Sequence, residues 1–316
     1  MVKNYMTVRL LNEVNKLSMN IFLVPYMFAV TLLFQGCQMQ TKEKGEGGKD
    51  KQTQSQPQIG DQIPYNLSDR VTYALPPILD EISGLTFVGG NADVVYTIQD
   101  ESGIVYVYDL KNRRMDHEIP FAGKGDFEDI ANDGKQLYVL KSNGAVYSLP
   151  IDKKHRANAT KVYEGLLPKG EYESLAYNSM LNELYVLCKS CKVDQKKGQA
   201  TGYRLTVNTD GTLTYRNEFI VDLSQATTVD EKQRRKFSPS AMTWRASTNE
   251  WYIISSVDKL MLITDADFNP KEVVRFSRKD YEQPEGLAFD GADNLYISSE
   301  AGDTGQGVIY QLKPTK

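Results

Sequence analysis

One five-residue phrase recurs five times along the chain, and it limits the possible folds more than any other feature. It reads Ser83-Gly84-Leu85-Thr86-Phe87, Glu128-Asp129-Ile130-Ala131-Asn132, Glu173-Ser174-Leu175-Ala176-Tyr177, Ser240-Ala241-Met242-Thr243-Trp244 and Glu285-Gly286-Leu287-Ala288-Phe289. Its first column holds only Glu or Ser, its third Leu, Ile or Met, and its fourth Ala or Thr. The phrases begin at 83, 128, 173, 240 and 285, so the steps are 45, 45, 67 and 45 residues. A fixed period in the forties belongs to a radial array whose unit is one four-stranded blade. The long step exceeds one unit by 67 − 45 = 22 residues, which the polar stretch Lys189 to Gly202 and the charged stretch Thr227 to Lys236 can hold as insertions. The expected fold is therefore all-β, a five-bladed β-propeller of four-stranded antiparallel blades.

Runs rich in Val, Ile, Tyr and Thr, separated by Gly, Asn and Asp, supply four strands to each of the first four blades. After its phrase, blade five offers only Leu295 to Ile297 and Val308 to Leu312 before the chain ends. The run Val71 to Leu75 is the expected fourth strand, closing the ring with an N-terminal strand and removing an open sheet edge. Trp244 and Trp251 are expected as blade-four core and cross-strand partners, and Thr227 to Lys236 as a short surface helix with acids early and bases late.

Upstream of the repeats, Ile21 to Phe34 is an apolar run of about fourteen residues, short for a membrane span. Gly36-Cys37 follows it and resembles a bacterial lipobox, with Phe34 where Leu is usual. This implies a lipoprotein signal over residues 1–37, with Cys37 lipidated; an uncleaved N-terminal anchor is the alternative. Residues 38–65 are almost free of apolar side chains over most of their length and are expected as a flexible tether. The propeller then occupies 66–316, held to a membrane of the bacterial cell envelope, the outer membrane by expectation, through its lipid anchor.

In a propeller the first strand of each blade lines the central channel, so equivalent positions converge on the axis. Glu128, Glu173 and Glu285 should form a ring with Ser83 and Ser240. The ends of the second strands bring Asp100, Glu101, Lys141, Lys189 and Glu300 to the same mouth. Two carboxylates roughly 6 Å apart at an effective dielectric of about 20 repel by about 3 kcal/mol, so such a ring needs neutralising. Three solutions are open: a hard cation bound by oxygens, Lys141 and Lys189 as internal counter-ions, or acids that keep their protons. An all-oxygen donor set without His or Cys favours calcium over zinc or iron. Glu side chains bonded to neighbouring backbone amides, stitching blade to blade, are the purely structural alternative.

Glu81-Ile82-Ser83-Gly84-Leu85, Asp126-Phe127-Glu128-Asp129-Ile130, Tyr172-Glu173-Ser174-Leu175-Ala176 and Gln283-Pro284-Glu285-Gly286-Leu287-Ala288 together resemble the SdiA-regulated, YjiK-like propeller family. The likeness runs from about Val71 to Leu312. It implies a five-bladed propeller, often behind an export or lipoprotein signal, with a calcium site in the channel and no established activity. Carried over by position, Glu128, Glu173 and Glu285 are the expected acidic ligands, with Glu300 and Asp100 beside them.

Cys188-Lys189-Ser190-Cys191 is a CxxC that follows a strand, whereas a thioredoxin-like site needs a helix N-terminus. No second Cys pair completes a zinc site. A disulfide outside the reducing cytosol is the preferred reading, and free thiols come second. A net charge of −4 gives no electrostatic reason to expect nucleic acid as a partner. Neither of the two histidines, His117 and His155, lies in a phrase, which argues against His-based catalysis at the ring. The leading expectation is a binding module for an unidentified glycan, peptide or protein. The alternative is a calcium-assisted hydrolase of phosphoesters, lactones or glycans.

Overall fold

The structure, a computed structural model, describes residues 63–151, 159–194, 196–226, 237–302 and 305–315. The expected signal, Cys37, nearly all of the tether and the 227–236 helix lie outside them. Among the described residues no helix is long and apolar enough to cross a membrane.

Five four-stranded antiparallel sheets form the ring. Blade one contains β2 (Ile82–Thr86), β3 (Val94–Gln99), β4 (Ser102–Asp109) and β5 (Arg114–Lys124). Blade two contains β6 (Phe127–Asn132), β7 (Gln136–Lys141), β8 (Val146–Pro150) and β9 (Lys161–Tyr163). Blade three contains β10 (Glu171–Asn178), β11 (Glu183–Ser190), β12 (Gln199–Val207) and β13 (Leu213–Asp222). Blade four contains β14 (Ala241–Arg245), β15 (Glu250–Ser255), β16 (Leu260–Thr264) and β17 (Pro270–Arg275). Blade five combines β18 (Pro284–Phe289), β19 (Leu295–Ser299) and β20 (Val308–Pro314) with β1 (Tyr65–Ala74), in the order β1-β20-β19-β18.

The closing strand is longer than the Val71 to Leu75 run expected. Its regular pairing spans Arg70 opposite Leu312 to Ala74 opposite Val308, and a register shift separates that stretch from Tyr65 opposite Pro314. Anchoring begins before the strand, because Ile63 and Tyr65 are both buried. The Tyr65 hydroxyl donates to the Asp293 carbonyl at 2.8 Å. Arg70 stacks its guanidinium over Tyr281 and Tyr310, at 4.8 and 4.6 Å from the ring centres.

No blade buries its core alone. Val105 and Val107 pack with Ile130, Val139 and Leu149 of blade two. Tyr106 and Tyr108 of the same strand pack with Tyr296 and Ile309 of blade five. Both faces of a blade's strands are thus covered by neighbouring blades, which is why these strands are rich in apolar residues on both faces. Trp244 and Trp251 pair across β14 and β15 with ring centres 4.7 Å apart, at the seam between blades three and four.

Candidate functional site: the acidic channel mouth

Each phrase opens the innermost strand of its blade: β2, β6, β10, β14 and β18 are edge strands of their sheets and adjoin one another around the ring. Their third, fourth and fifth columns line an axial cavity of about 130 Å³. The first column sits elsewhere, and the reason is local. Phe127 faces Lys141 while Asp129 faces Leu140, so Glu128 has no partner across the ladder. Likewise Tyr172 faces Cys188 and Ser174 faces Leu187, which skips Glu173, and Pro284 faces Ser299 and Gly286 faces Ser298, which skips Glu285. All three glutamates therefore occupy β-bulges. A bulge leaves one residue unpaired and re-aims its side chain.

The second column does the opposite work. It holds Gly84, Asp129, Ser174, Ala241 and Gly286, mostly small, because adjacent blades come closest there. A Cβ on Gly84 would lie 2.7 Å from both Asp129 Cα and Ile130 N, and one on Gly286 would lie 2.6 Å from the Ser83 carbonyl oxygen. Asp129 is buried, and its carboxylate accepts hydrogen bonds from the backbone N–H of Ile130 and of Leu175, each at 2.8 Å. Blade two is thereby tied to blade three. Stitching by acid-to-amide bonds does occur, but through Asp129 and not through the first-column glutamates.

Those glutamates form an electrostatically strained group. Burial, with Glu173 and Asp126 alongside, pushes Glu128 up to about 9. Burial pushes Glu173 up to about 7 even though Lys189 pulls it down. Glu285 is raised by burial, against the hydrogen bond from Ser256 and the charges of Lys189 and Lys259. Glu300 rises to about 8 through burial and then the charges of Glu285, Glu81, Asp100 and Glu173. Asp100 is raised by burial and by Glu81 and Glu101. Its Oδ1 is buried and has no hydrogen-bond partner. The five expected acids thus share one mouth.

Two of the neutralising devices anticipated are present together, protonation and internal ammonium groups. Lys189 forms an ion pair with Glu173. Burial pulls the Lys189 pKa down, but Glu173, Glu285 and Glu171 more than offset it and hold it above the ordinary lysine value. Lys141, the other expected counter-ion, makes no ion pair among the described residues. Lys259 places a second ammonium near Glu285, again without an ion pair among those residues; it donates to the Glu282 carbonyl oxygen, and burial lowers its pKa against the pull of Glu285. It was missed because it belongs to a turn, at φ 53°, beyond the second-strand end at Ser255.

For a hard cation the chemistry is suitable: half-buried to buried carboxylates with raised pKa values, and a buried, unpartnered Asp100 oxygen. The carboxylates are not preassembled, however. Among the described residues only Cys188, Cys191 and Asp194 bring three ligand atoms within 4.8 Å of one another, and both cysteines are joined in a disulfide.

The family model described as SdiA-regulated matches residues 65–302, a span that contains all five phrases and the closing strand. The chain belongs to the SdiA-regulated family. No curated protein sequence matches it. Among solved structures, glutaminyl cyclase from Myxococcus xanthus superposes with a TM-score of 0.55 at 14% identity, covering 77% of this SdiA-regulated chain and 94% of its own. A luciferin-regenerating enzyme gives a TM-score of 0.45 at 11% identity, covering 78% of this chain and 95% of its own. A chain of the nidogen–laminin complex gives 0.44 at 17%, covering 69% and 72%. At these identities the glutaminyl cyclase likeness concerns the fold alone.

Proposed function

We propose that this SdiA-regulated propeller is a cell-envelope binding module, tethered through a lipid on Cys37, whose channel mouth holds calcium. The observation that supports the metal is the bulge placement of Glu128, Glu173 and Glu285, which gathers one buried and two half-buried carboxylates at one end of the channel. Calcium, when bound, supplies the positive charge that the mouth otherwise obtains from Lys189, Lys259 and retained protons. Glu128, Glu173, Glu285, Glu300 and Asp100 would hold it. The loops around the mouth would then present a charged rim to a glycan, peptide or protein.

A second reading, a calcium-assisted hydrolase of phosphoesters, lactones or glycans, draws on Glu128 and Glu173, neighbouring acids held near 9 and 7. Binding is preferred because no histidine or arginine joins these acids in the phrase columns.

Thermal unfolding in chelator and then in excess calcium tests the metal. A ligand at 100 times its Kd adds about 2.7 kcal/mol to the native state. The expected result is a rise in Tm that magnesium does not reproduce and that Glu173→Gln abolishes. An unchanged Tm in the parent protein would remove calcium from the account.

A further inference from the structure

Lys189, whose ammonium enters the acid ring, lies inside the four-residue loop closed by the Cys188–Cys191 disulfide. The two cysteine Cα atoms are 6.0 Å apart. Cys188 is fully buried on β11, opposite Tyr172, the residue that precedes Glu173. The disulfide also packs on the approach to β10. A Cβ on Gly170 would lie 3.2 Å from Cys188 Sγ and collide with Cys191 Sγ, so only glycine lets the chain pass there. Counter-ion, ring glutamate and disulfide therefore form one mechanical unit.

We propose that this disulfide is a redox latch: closed, it holds Lys189 against Glu173, and opened by a small-molecule or protein thiol, it releases Lys189 and frees the acid ring for a divalent cation. The effect on cation binding rests on the calcium reading above; the latch itself does not. A closed loop limits the backbone conformations of Lys189 and Ser190, so little entropy is lost in fixing the lysine side chain on Glu173. Opening the loop leaves the Lys189 backbone held only by the pairings on either side of it, Cys188 opposite Tyr172 and Ser190 opposite Glu171. Glu173 and Glu128 then lose the ammonium that both face.

The chemistry balances with two thiols. The first, as its thiolate, attacks Cys191 Sγ, the half-buried sulfur of the pair. The bond to Cys188 breaks and Cys188 leaves as a thiolate that takes up a proton. The second thiol then displaces Cys191 from the mixed disulfide. Two electrons pass to the protein, and the two thiols end as one disulfide. The reduced Cys188 has a partner in place, because its sulfur lies 3.1 Å from the Glu171 carbonyl oxygen.

The test compares oxidised protein, protein reduced with dithiothreitol, and Cys191→Ser, which opens the loop without a reductant. Lys189 acylation by acetic anhydride is followed by peptide mass spectrometry, with the exposed Lys111 as internal reference, and calcium affinity is measured by calorimetry. Acylation of Lys189 is expected to be several-fold faster in both opened forms while Lys111 is unchanged. Calcium is expected to bind about tenfold more tightly in the opened forms. In Lys189→Met that redox dependence should disappear. Equal acylation in all three forms overturns the latch, whatever calcium does. Redox-dependent acylation with no calcium binding in any form supports the latch and removes the calcium reading.

Discussion

Columns one and two of the repeated phrase are one residue apart on the same strands, yet they serve opposed ends. Column two closes the ring: Gly84 and Gly286 let neighbouring blades touch, and Asp129 ties two of them through backbone N–H groups. Column one loads the same strands with Glu128, Glu173 and Glu285, which repel one another and hold protons at pH values where exposed glutamates have lost them. One column stabilises the fold and the other stresses it. Burial raises the Asp129 pKa too, against its two backbone N–H bonds, so it is the amide partners that mark Asp129 as architecture, while the glutamates point to a ligand.

Substitutions should separate the columns by sign. The largest effect is expected from Asp129→Ala, which leaves two buried N–H groups without acceptors, at about 1–3 kcal/mol each. Urea unfolding should show a much lower midpoint with an unchanged slope; a midpoint like that of the parent would deny the stitch. Gly286→Ala should follow at about 1–3 kcal/mol, because a methyl group is forced against the Ser83 carbonyl in a packed seam. The same unfolding curve reads it.

Column one should respond to pH, and Asp129 with it, because burial holds that carboxyl well above the ordinary aspartate value. For a carboxyl whose folded pKa is raised, the native state holds protons that the unfolded chain has released, so stability falls as pH rises. The favourable term is complete below the ordinary glutamate range and is lost as pH climbs through about 7 for Glu173, about 8 for Glu300 and about 9 for Glu128. In chelator, Tm is therefore expected to drop steadily between pH 5 and pH 9. Saturating calcium should remove most of that drop. A flat Tm profile in chelator would mean that the mouth carries no electrostatic stress.

The sign of one further effect is the most discriminating. Glu128→Gln should raise Tm at pH 9 and leave it unchanged at pH 5, because only at the higher pH does the parent protein hold a charged Glu128 in the mouth. A fall at both pH values would place Glu128 with Asp129 among the structural acids.

The fold was legible in the sequence because the phrase is periodic and its neighbours alternate with turn residues; blade count, ring closure and the Trp244–Trp251 pair all follow from that. The bulges were not legible. An extra residue in a strand leaves no compositional mark, since Phe127-Glu128-Asp129 reads the same whether or not its middle member is paired. Asp129 did leave a mark, as an acid in a column otherwise filled by Gly, Ser and Ala, but the signal lay beside the more conspicuous glutamates. Lys259 left none, because its ammonium reaches the mouth from a turn and not from a repeat column. Strand-end counting favoured Lys141 and Lys189 equally, whereas the pairing depends on which end faces Glu173.

The most direct measurement of the central claim is calorimetric titration of the protein with calcium at pH 8, in buffers of different ionisation enthalpy. Raised carboxyl pKa values require calcium to displace protons on binding, so the observed heat should vary with the buffer, and Glu173→Gln should weaken binding by at least about tenfold. Absence of binding heat in every buffer, or calcium binding unaltered in a Glu173→Gln, Glu285→Gln double variant, would contradict a cation site at the channel mouth.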